Sequence, residues 1–161
     1  MAIEEQVIQR CTERGVTLST AEACTGGLIG ALLVSVPGSS KVFVGGITAY
    51  HNGPKRSLLG LTEETARSVG SVSEPGVHEL AEGARKAFGT TIAVAESGIA
   101  GPTGGSAEKP AGTVYIGIAT PEGTRIERFL FPGSRRAYML SVAETALRFV
   151  IEWLDATQGQ A

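Results

Sequence analysis

The stretch VTLSTAEACTGGLIGALLVSV (residues 16–36) decides the fold, because it predicts a strand, a short loop and a helix in succession. VTLST (16–20) is rich in residues that favour β-structure and predicts the strand. GGLIGALLVSV (26–36) is apolar on most faces and predicts a helix, which the following Pro37 and Gly38 end. A strand, a loop and a helix in this order are typical of layered α/β domains.

The rest of the chain continues the alternation of helices and strands. Helical patterns or capping signals occur at residues 2–14, 62–70, 71–89 and 134–156, and strand patterns at 41–50, 90–98, 113–120 and 125–131. The strand at 41–50 is predicted to be buried, and HNGPKRSLLG (51–60) to be a turn followed by a short helical piece. Early alternation and a late hairpin predict a three-layer α/β/α domain with a mixed sheet. No linker or repeat is visible, so we expect one domain over residues 1–161.

Composition argues against several classes of function. The formal net charge is -2 without a block of like charge, which argues against a nucleic-acid binder that works by bulk electrostatics. Cys11 and Cys24 form neither a CxxC pair nor a disulfide framework, and the acidic N-terminal stretch is unlike a secretory signal. No apolar run is long enough for a bilayer, and His51 and His78 lack metal-ligand spacing. We therefore expect a cytoplasmic protein with no metal ion, no nucleic acid and no membrane as partner.

Three loops, each after a predicted strand, are the candidates for a functional site. They are AEACTGG (21–27), YHNGPK (50–55) and SGIAGPTGG (97–105). If the three strands run parallel, the loops meet at the carboxyl edge of the sheet, where ligands of α/β domains bind. Ordering a glycine-rich loop costs conformational entropy, and this cost favours a function for the third loop.

The residues of these loops leave alternatives open. TGG in the first loop could bind an anion with helix N–H groups, but the simpler interpretation is that Thr25 caps the helix. The glycines of the third loop could surround an oxyanion or form a flexible connection. Tyr50 and Lys55 could serve as a base or an anchor, although a lone lysine usually lies on the surface. Arg135 and Arg136 begin the last helix, where the helix dipole disfavours positive charge. This placement suggests that an anion offsets the two charges.

Four motifs together resemble one known family: TAEACTGGLIGALLVSVPGSS, GGITAYHNGPKRSLLG, SVSEPGVHELAEGAR and SGIAGPTGGSAEKPAGTVYIGIAT. In their order, and over nearly the whole chain, they are similar to the C-terminal domain of the CinA family, whose stand-alone members are nicotinamide mononucleotide amidohydrolases. The resemblance implies hydrolysis of nicotinamide mononucleotide to nicotinate mononucleotide and ammonia, without a cofactor. It also implies a small pyridine nucleotide as partner and assembly into a homo-oligomer.

The site residues of that family map onto this sequence with two departures. The catalytic set corresponds to Ala23, Tyr50, Lys55 and Ser97. The substrate-binding set corresponds to Glu22, Thr25, Gly26, Gly27, Asn52, Gly98, Gly101 and Arg135, with Arg136 as the less direct match for the arginine. The family loop is usually AESCTGG, with its serine as the proposed nucleophile, and Ala23 stands in that place. Glu96 is the second departure, because that position is usually apolar.

An alanine cannot attack a carboxamide, and removing a nucleophile commonly costs on the order of 10⁴- to 10⁶-fold in rate. The chain is then an inactive homologue that binds the nucleotide as a sensor or partner module, a variant of an active enzyme, or an enzyme with a rerouted mechanism. Rerouting would let Glu22 or Glu96 activate water, or let another group replace the serine: Thr25, Ser97 or Cys24. A purely structural interaction protein is the third class, and it leaves the glycine-rich loops without a purpose. The favoured expectation is a retained ligand site with lost or sharply reduced turnover.

Overall fold

The structure, a computed structural model, describes residues 1–159, so the last two residues of the predicted 1–161 domain lie outside it. Within this range one sheet contains the strands β1 Leu18–Glu22, β2 Phe43–Thr48, β3 Ile92–Gly98, β4 Thr113–Thr120 and β5 Gly123–Leu130. The α-helices are α1 Ile3–Arg14, α2 Leu28–Val34, α3 Asn52–Leu59, α4 Glu63–Ser68, α5 Glu74–Phe88 and α6 Arg135–Ala156. A 3₁₀ turn at Ser39–Lys41 precedes β2.

The sheet is mixed, and its parallel part positions the site. The strand order is β2-β1-β3-β4-β5. β1 is parallel to both of its neighbours, with Ala21 opposite Ile47 in β2 and Ala95 in β3. The β3–β4 and β4–β5 pairs are antiparallel, and the second of them is the predicted hairpin. Because β1, β2 and β3 run in one direction, the loops that follow them lie at one edge of the sheet.

Helices cover both faces of the sheet, which confirms the predicted three-layer α/β/α fold. On one face, α1, α2 and α6 pack on large side chains of the central strands, such as Ile92 and Val94. On the other face, α5 packs on small side chains, such as Ala93 and Ala95, and α3 packs against α5. The alternation follows from the two-residue period of a strand, and the alanines leave room for α5 beside β3.

Two expectations near the site are wrong. β2 is not buried, since every second residue is exposed and Val44 has 53% of its surface accessible. The reason is its place at the edge of the sheet, where only β1 pairs with it. The segment 51–60 does not begin with a turn, because α3 starts at Asn52 directly after its cap His51. Pro54 is compatible with this first turn, where backbone N–H groups have no partner inside the helix.

Candidate functional site

A cavity of about 410 Å³ lies at the carboxyl ends of β1, β2 and β3. The predicted site residues on its surface are Ala23, Tyr50, Asn52, Lys55, Gly98, Gly101 and Arg135. All three loops contribute to this set, and the first residue of α6 closes it from a fourth direction. The three loops and the start of α6 therefore bring together residues that are more than 100 positions apart in the sequence.

The other predicted site residues do not line this cavity. Ser97 is completely buried, and its hydroxyl is 3.4 Å from the Lys55 Nζ atom. Glu22 ends β1, Thr25, Gly26 and Gly27 form the turn into α2, and none of the four lines the cavity. The ligand contact that the resemblance implies for these residues stays a prediction.

The Glu22 carboxylate occupies the position at the start of α2 where the sequence suggested that a ligand anion could bind. It accepts hydrogen bonds from the backbone N–H groups of Gly27, Ile29 and Gly30 at 3.1, 2.9 and 2.8 Å. These N–H groups belong to the first turn of α2, where the helix dipole favours a negative charge. The Thr25 hydroxyl lies between two carboxylates, at 2.6 Å from Glu22 and 2.7 Å from Glu96. An exogenous anion therefore has no free place at this helix start.

Replacing Glu22 by glutamine should destabilise the protein through α2. We expect Glu22→Gln to lower the free energy of unfolding by about 2 kcal/mol, because the amide has no charge and turns an NH₂ group towards backbone N–H donors. Urea unfolding followed by circular dichroism measures the loss. Exposed Glu144 is the matched position, and Glu144→Gln should stay within about 0.5 kcal/mol of the parent chain. Equal stabilities of the two variants would contradict the role given to Glu22.

Glu96 lies beneath Ala23 and holds the first loop from below. Its carboxylate is completely buried and accepts the backbone N–H groups of Ala23, Cys24 and Thr25 at 2.6, 3.1 and 3.1 Å. Neither Glu96 nor Glu22 lines the cavity, so neither carboxylate is placed to activate a water there. The amides beside Ala23, which could otherwise stabilise an oxyanion, are already engaged by Glu96.

Cys24 is a thiol donor rather than a nucleophile in this arrangement. Its Sγ atom donates to Glu96 Oε2 at 2.7 Å and lies 3.5 Å from the Tyr138 hydroxyl. Burial raises the pKa of the Cys24 thiol far above its ordinary range, and the neighbouring Glu96 charge raises it further. Since the thiolate is the reactive form, the buried thiol of Cys24 is poorly placed to act as a nucleophile.

Lys55 is the cation inside the cavity. Only 5% of the residue is exposed, and its Nζ atom donates to the Ser71 hydroxyl at 2.9 Å. Burial lowers the pKa of the Lys55 ammonium group, and the charge of Glu96 partly opposes this effect. A lysine with a lowered pKa has a larger neutral fraction near pH 7, which is the form that acts as a base.

Arg135 and Tyr50 form the outer part of the cavity. The guanidinium donates from Nη1 to the Gly101 carbonyl oxygen at 2.9 Å and from Nη2 to the Tyr50 hydroxyl at 2.8 Å. Tyr50 is thus paired with Arg135, and Lys55 with Ser71. Arg136 makes no hydrogen bond or ion pair within residues 1–159, which identifies Arg135 as the arginine of the cavity.

Some cavity residues were not predicted. They are Ser71, Val72, Ile99, Ala100 and Thr103, besides Cys24. Ser71 and Val72 precede α5 and follow no strand, so a search of strand ends does not find them. The capping serine of SVSEPG marks the start of α5 in the sequence, but only the packing of α5 brings the residues before it to Lys55.

Two further observations concern the described residues as a set. Across residues 1–159, no three His, Cys, Asp or Glu side chains are arranged to hold a metal ion. None of the helices in this range combines the length and the apolar character that crossing a membrane requires.

Comparison with known proteins agrees with the geometry. A family model described as the CinA C-terminal domain matches residues 1–154. The CinA-like protein of Pseudothermotoga lettingae is 43% identical over 155 residues, which are 96% of this chain and 38% of that protein. The CinA-like protein of Thermotoga maritima is 44% identical over 156 residues, which are 97% of this chain and 38% of that protein. The chain thus spans 38% of the length of these curated relatives.

Solved structures show the same fold. A CinA superfamily protein from Klebsiella pneumoniae superposes with a TM-score of 0.92 at 31% identity, over 96% of both chains. A competence/damage inducible protein from Agrobacterium tumefaciens gives a TM-score of 0.91 at 37% identity, over 95% of this chain and 93% of that chain.

Proposed function

The chain belongs to the CinA C-terminal domain family, and from this membership we propose that its cavity binds nicotinamide mononucleotide and hydrolyses the carboxamide to give nicotinate mononucleotide and ammonia. The observation that carries the proposal is the pair of cations, Lys55 and Arg135, on the surface of one cavity. A nucleotide monophosphate needs a cationic anchor for its phosphate, and a carboxamide needs a proton-transfer group.

The dimensions and the chemistry of the cavity support a mononucleotide. Its volume of about 410 Å³ is in the range of small-molecule sites, which runs from about 300 to 1,000 Å³. Arg135 uses two of its N–H donors for Gly101 and Tyr50 and keeps others for an anion. The phosphate is therefore assigned to Arg135 near the mouth, and the carboxamide to the inner end between Ala23 and Lys55.

A second candidate function follows from the contacts of Glu96. Ala23 has no nucleophilic atom, and the amides of Ala23, Cys24 and Thr25 already bond to Glu96. A site that has lost both a nucleophile and these donors could bind the nucleotide without turnover, as a sensor or partner module. Calorimetric titration with nicotinamide mononucleotide, combined with an assay for released ammonia, separates the two candidates. Binding with ammonia release supports the amidohydrolase, binding alone supports the silent module, and no binding contradicts both.

Arg135→Ala should weaken binding of the mononucleotide by about 10- to 100-fold, since a hydrogen bond to a charged group contributes roughly 1.5–3 kcal/mol. Nicotinamide riboside, which lacks the phosphate, should bind the parent and the variant with similar affinity. Calorimetric titration of both ligands measures the difference.

The control is Arg136→Ala, which removes an exposed arginine one position further along α6. It should leave both affinities within about twofold, because Arg136 does not line the cavity. An equal loss for mononucleotide and riboside in Arg135→Ala would show that the arginine does not contact the phosphate.

A further inference from the structure

The Ser71 hydroxyl is the only hydroxyl on the cavity surface, within residues 1–159, that hydrogen-bonds to Lys55. We infer that Ser71 is the nucleophile of this chain, activated by Lys55, so that the attacking group has moved across the cavity from position 23 to the segment before α5. The inference rests on the proposed amidohydrolase function and adds the residue that performs its first chemical step.

The contacts of Ser71 suit this role. Its Oγ atom is 2.9 Å from Lys55 Nζ and makes no other hydrogen bond within residues 1–159, so the hydroxyl proton is available for transfer. A nucleophile and its base need this separation. The backbone is also held in place, because a Cβ atom on Gly76 would lie 2.5 Å from the Ser71 carbonyl oxygen. Helix α5 therefore packs directly against the Ser71 backbone.

The competing nucleophiles are placed less favourably. Ser97 is 3.4 Å from Lys55 and is completely buried behind the wall. The Thr25 hydroxyl is used by Glu22 and Glu96, and the Cys24 thiol by Glu96. Ser71 alone among these residues combines a contact to Lys55 with a position on the cavity surface.

The hydrolysis through Ser71 needs water as its only co-substrate. The neutral Lys55 amine takes the proton of Ser71 while the serine oxygen bonds to the carboxamide carbon. The carbon–nitrogen bond then breaks, and the proton on Lys55 passes to the departing nitrogen, which leaves as ammonia. Water attacks the resulting ester and gives a proton to Lys55. That proton returns to the Ser71 oxygen as nicotinate mononucleotide leaves.

Donors for the developing oxyanion remain among the residues that line the same cavity. The backbone N–H groups of Ala100 and Gly101 make no hydrogen bond to another residue within 1–159, and both residues line the cavity. Unengaged N–H groups can stabilise a tetrahedral intermediate. The amides at Ala23 differ in this respect, because Glu96 engages them. Position 23 thus has no nucleophilic side chain and an engaged amide, whereas Ser71, Ala100 and Gly101 provide a hydroxyl and unengaged amides on the same cavity.

The test compares Ser71 with an exposed serine of α3. Ser71→Ala should lower kcat for ammonia release from nicotinamide mononucleotide by at least about 10³-fold, while the Kd for the nucleotide changes by less than about threefold. Ser57→Ala is the matched variant and should keep kcat within about twofold of the parent chain, because Ser57 is exposed and does not line the cavity. Circular dichroism and urea unfolding establish that both variants are folded.

A covalent readout separates a nucleophile from a residue that only orients Lys55. Acid quenching of the parent chain during turnover, followed by peptide mass spectrometry, should find a nicotinate mononucleotide acyl group on the peptide with Ser71, and none in Ser71→Ala. Turnover by Ser71→Ala within tenfold of the parent, or an acyl group on another residue, overturns the inference and leaves the proposed function intact. Nucleotide binding without ammonia release also overturns it, and absence of nucleotide binding overturns the proposed function itself.

Discussion

Lys55→Met is expected to lower kcat/KM for ammonia release by about 10³-fold or more, because the variant loses the group that accepts and returns the proton. Methionine keeps most of the length of the lysine side chain, so packing around α3 is preserved. The measurement is an ammonia-release assay with nicotinamide mononucleotide. A second assay, calorimetric titration, should still detect nucleotide binding, since the phosphate is assigned to Arg135.

The pH dependence of kcat/KM tests the same role of Lys55. Lys55 acts as a base only when neutral, so kcat/KM should rise with pH as the ammonium loses its proton. Burial lowers the pKa of Lys55, so this rise should lie below the ordinary lysine value of about 10.4. Lys55→Met should retain no such rise in its residual activity.

The control for this experiment is an exposed lysine on a neighbouring helix. Lys86 is exposed near the end of α5, and its side chain makes no hydrogen bond within residues 1–159. Lys86→Met should keep kcat/KM within about twofold of the parent chain. If Lys55→Met instead kept more than a tenth of the parent activity, Lys55 would not be the proton-transfer group and the proposed reaction would need another base.

The sequence was sufficient to predict that three loops lie close together, for a physical reason. Loops after parallel strands must meet at one edge of the sheet, and the patterns around β1, β2 and β3 mark those strands. Lys55 could therefore be placed beside the first and third loops, whereas Arg135, at the start of α6, was assigned only through the resemblance. Ser71 could not be assigned to the cavity, because its segment reaches the cavity only through the packing of α3 against α5. A periodic sequence pattern does not show which two helices pack together.

The contacts of the two buried carboxylates could not be predicted for a related reason. Glu22 and Glu96 lie in the paired parts of β1 and β3, next to the glycine-rich loops, and these positions suggested contact with a ligand or with water. In the structure both side chains accept hydrogen bonds from backbone N–H groups of the first loop or of α2. The alternation of a strand gives the face on which a side chain lies, but the partner that the side chain reaches depends on the conformation of the following loop.

Glu96→Ala should lower the free energy of unfolding by about 4 kcal/mol, the largest stability effect that we expect for a single side chain here. The substitution removes the acceptor of three buried N–H groups, those of Ala23, Cys24 and Thr25. Each unpaired buried donor costs roughly 1–3 kcal/mol, and water entering the space left by the side chain recovers part of this cost. Urea unfolding, followed by circular dichroism and by the fluorescence of Trp153, measures the change.

Two further variants, Glu96→Gln and Glu144→Ala, test whether the loss of stability is specific to the Glu96 carboxylate. Glutamine keeps the volume and one acceptor oxygen, so Glu96→Gln should lose less than Glu96→Ala, whereas exposed Glu144→Ala should change stability by less than about 0.5 kcal/mol. A loss below 1 kcal/mol in Glu96→Ala would mean that the first loop is held by other contacts. The three hydrogen bonds to Glu96 would then contribute little to stability, and Glu96 would not be the residue that holds the first loop in place.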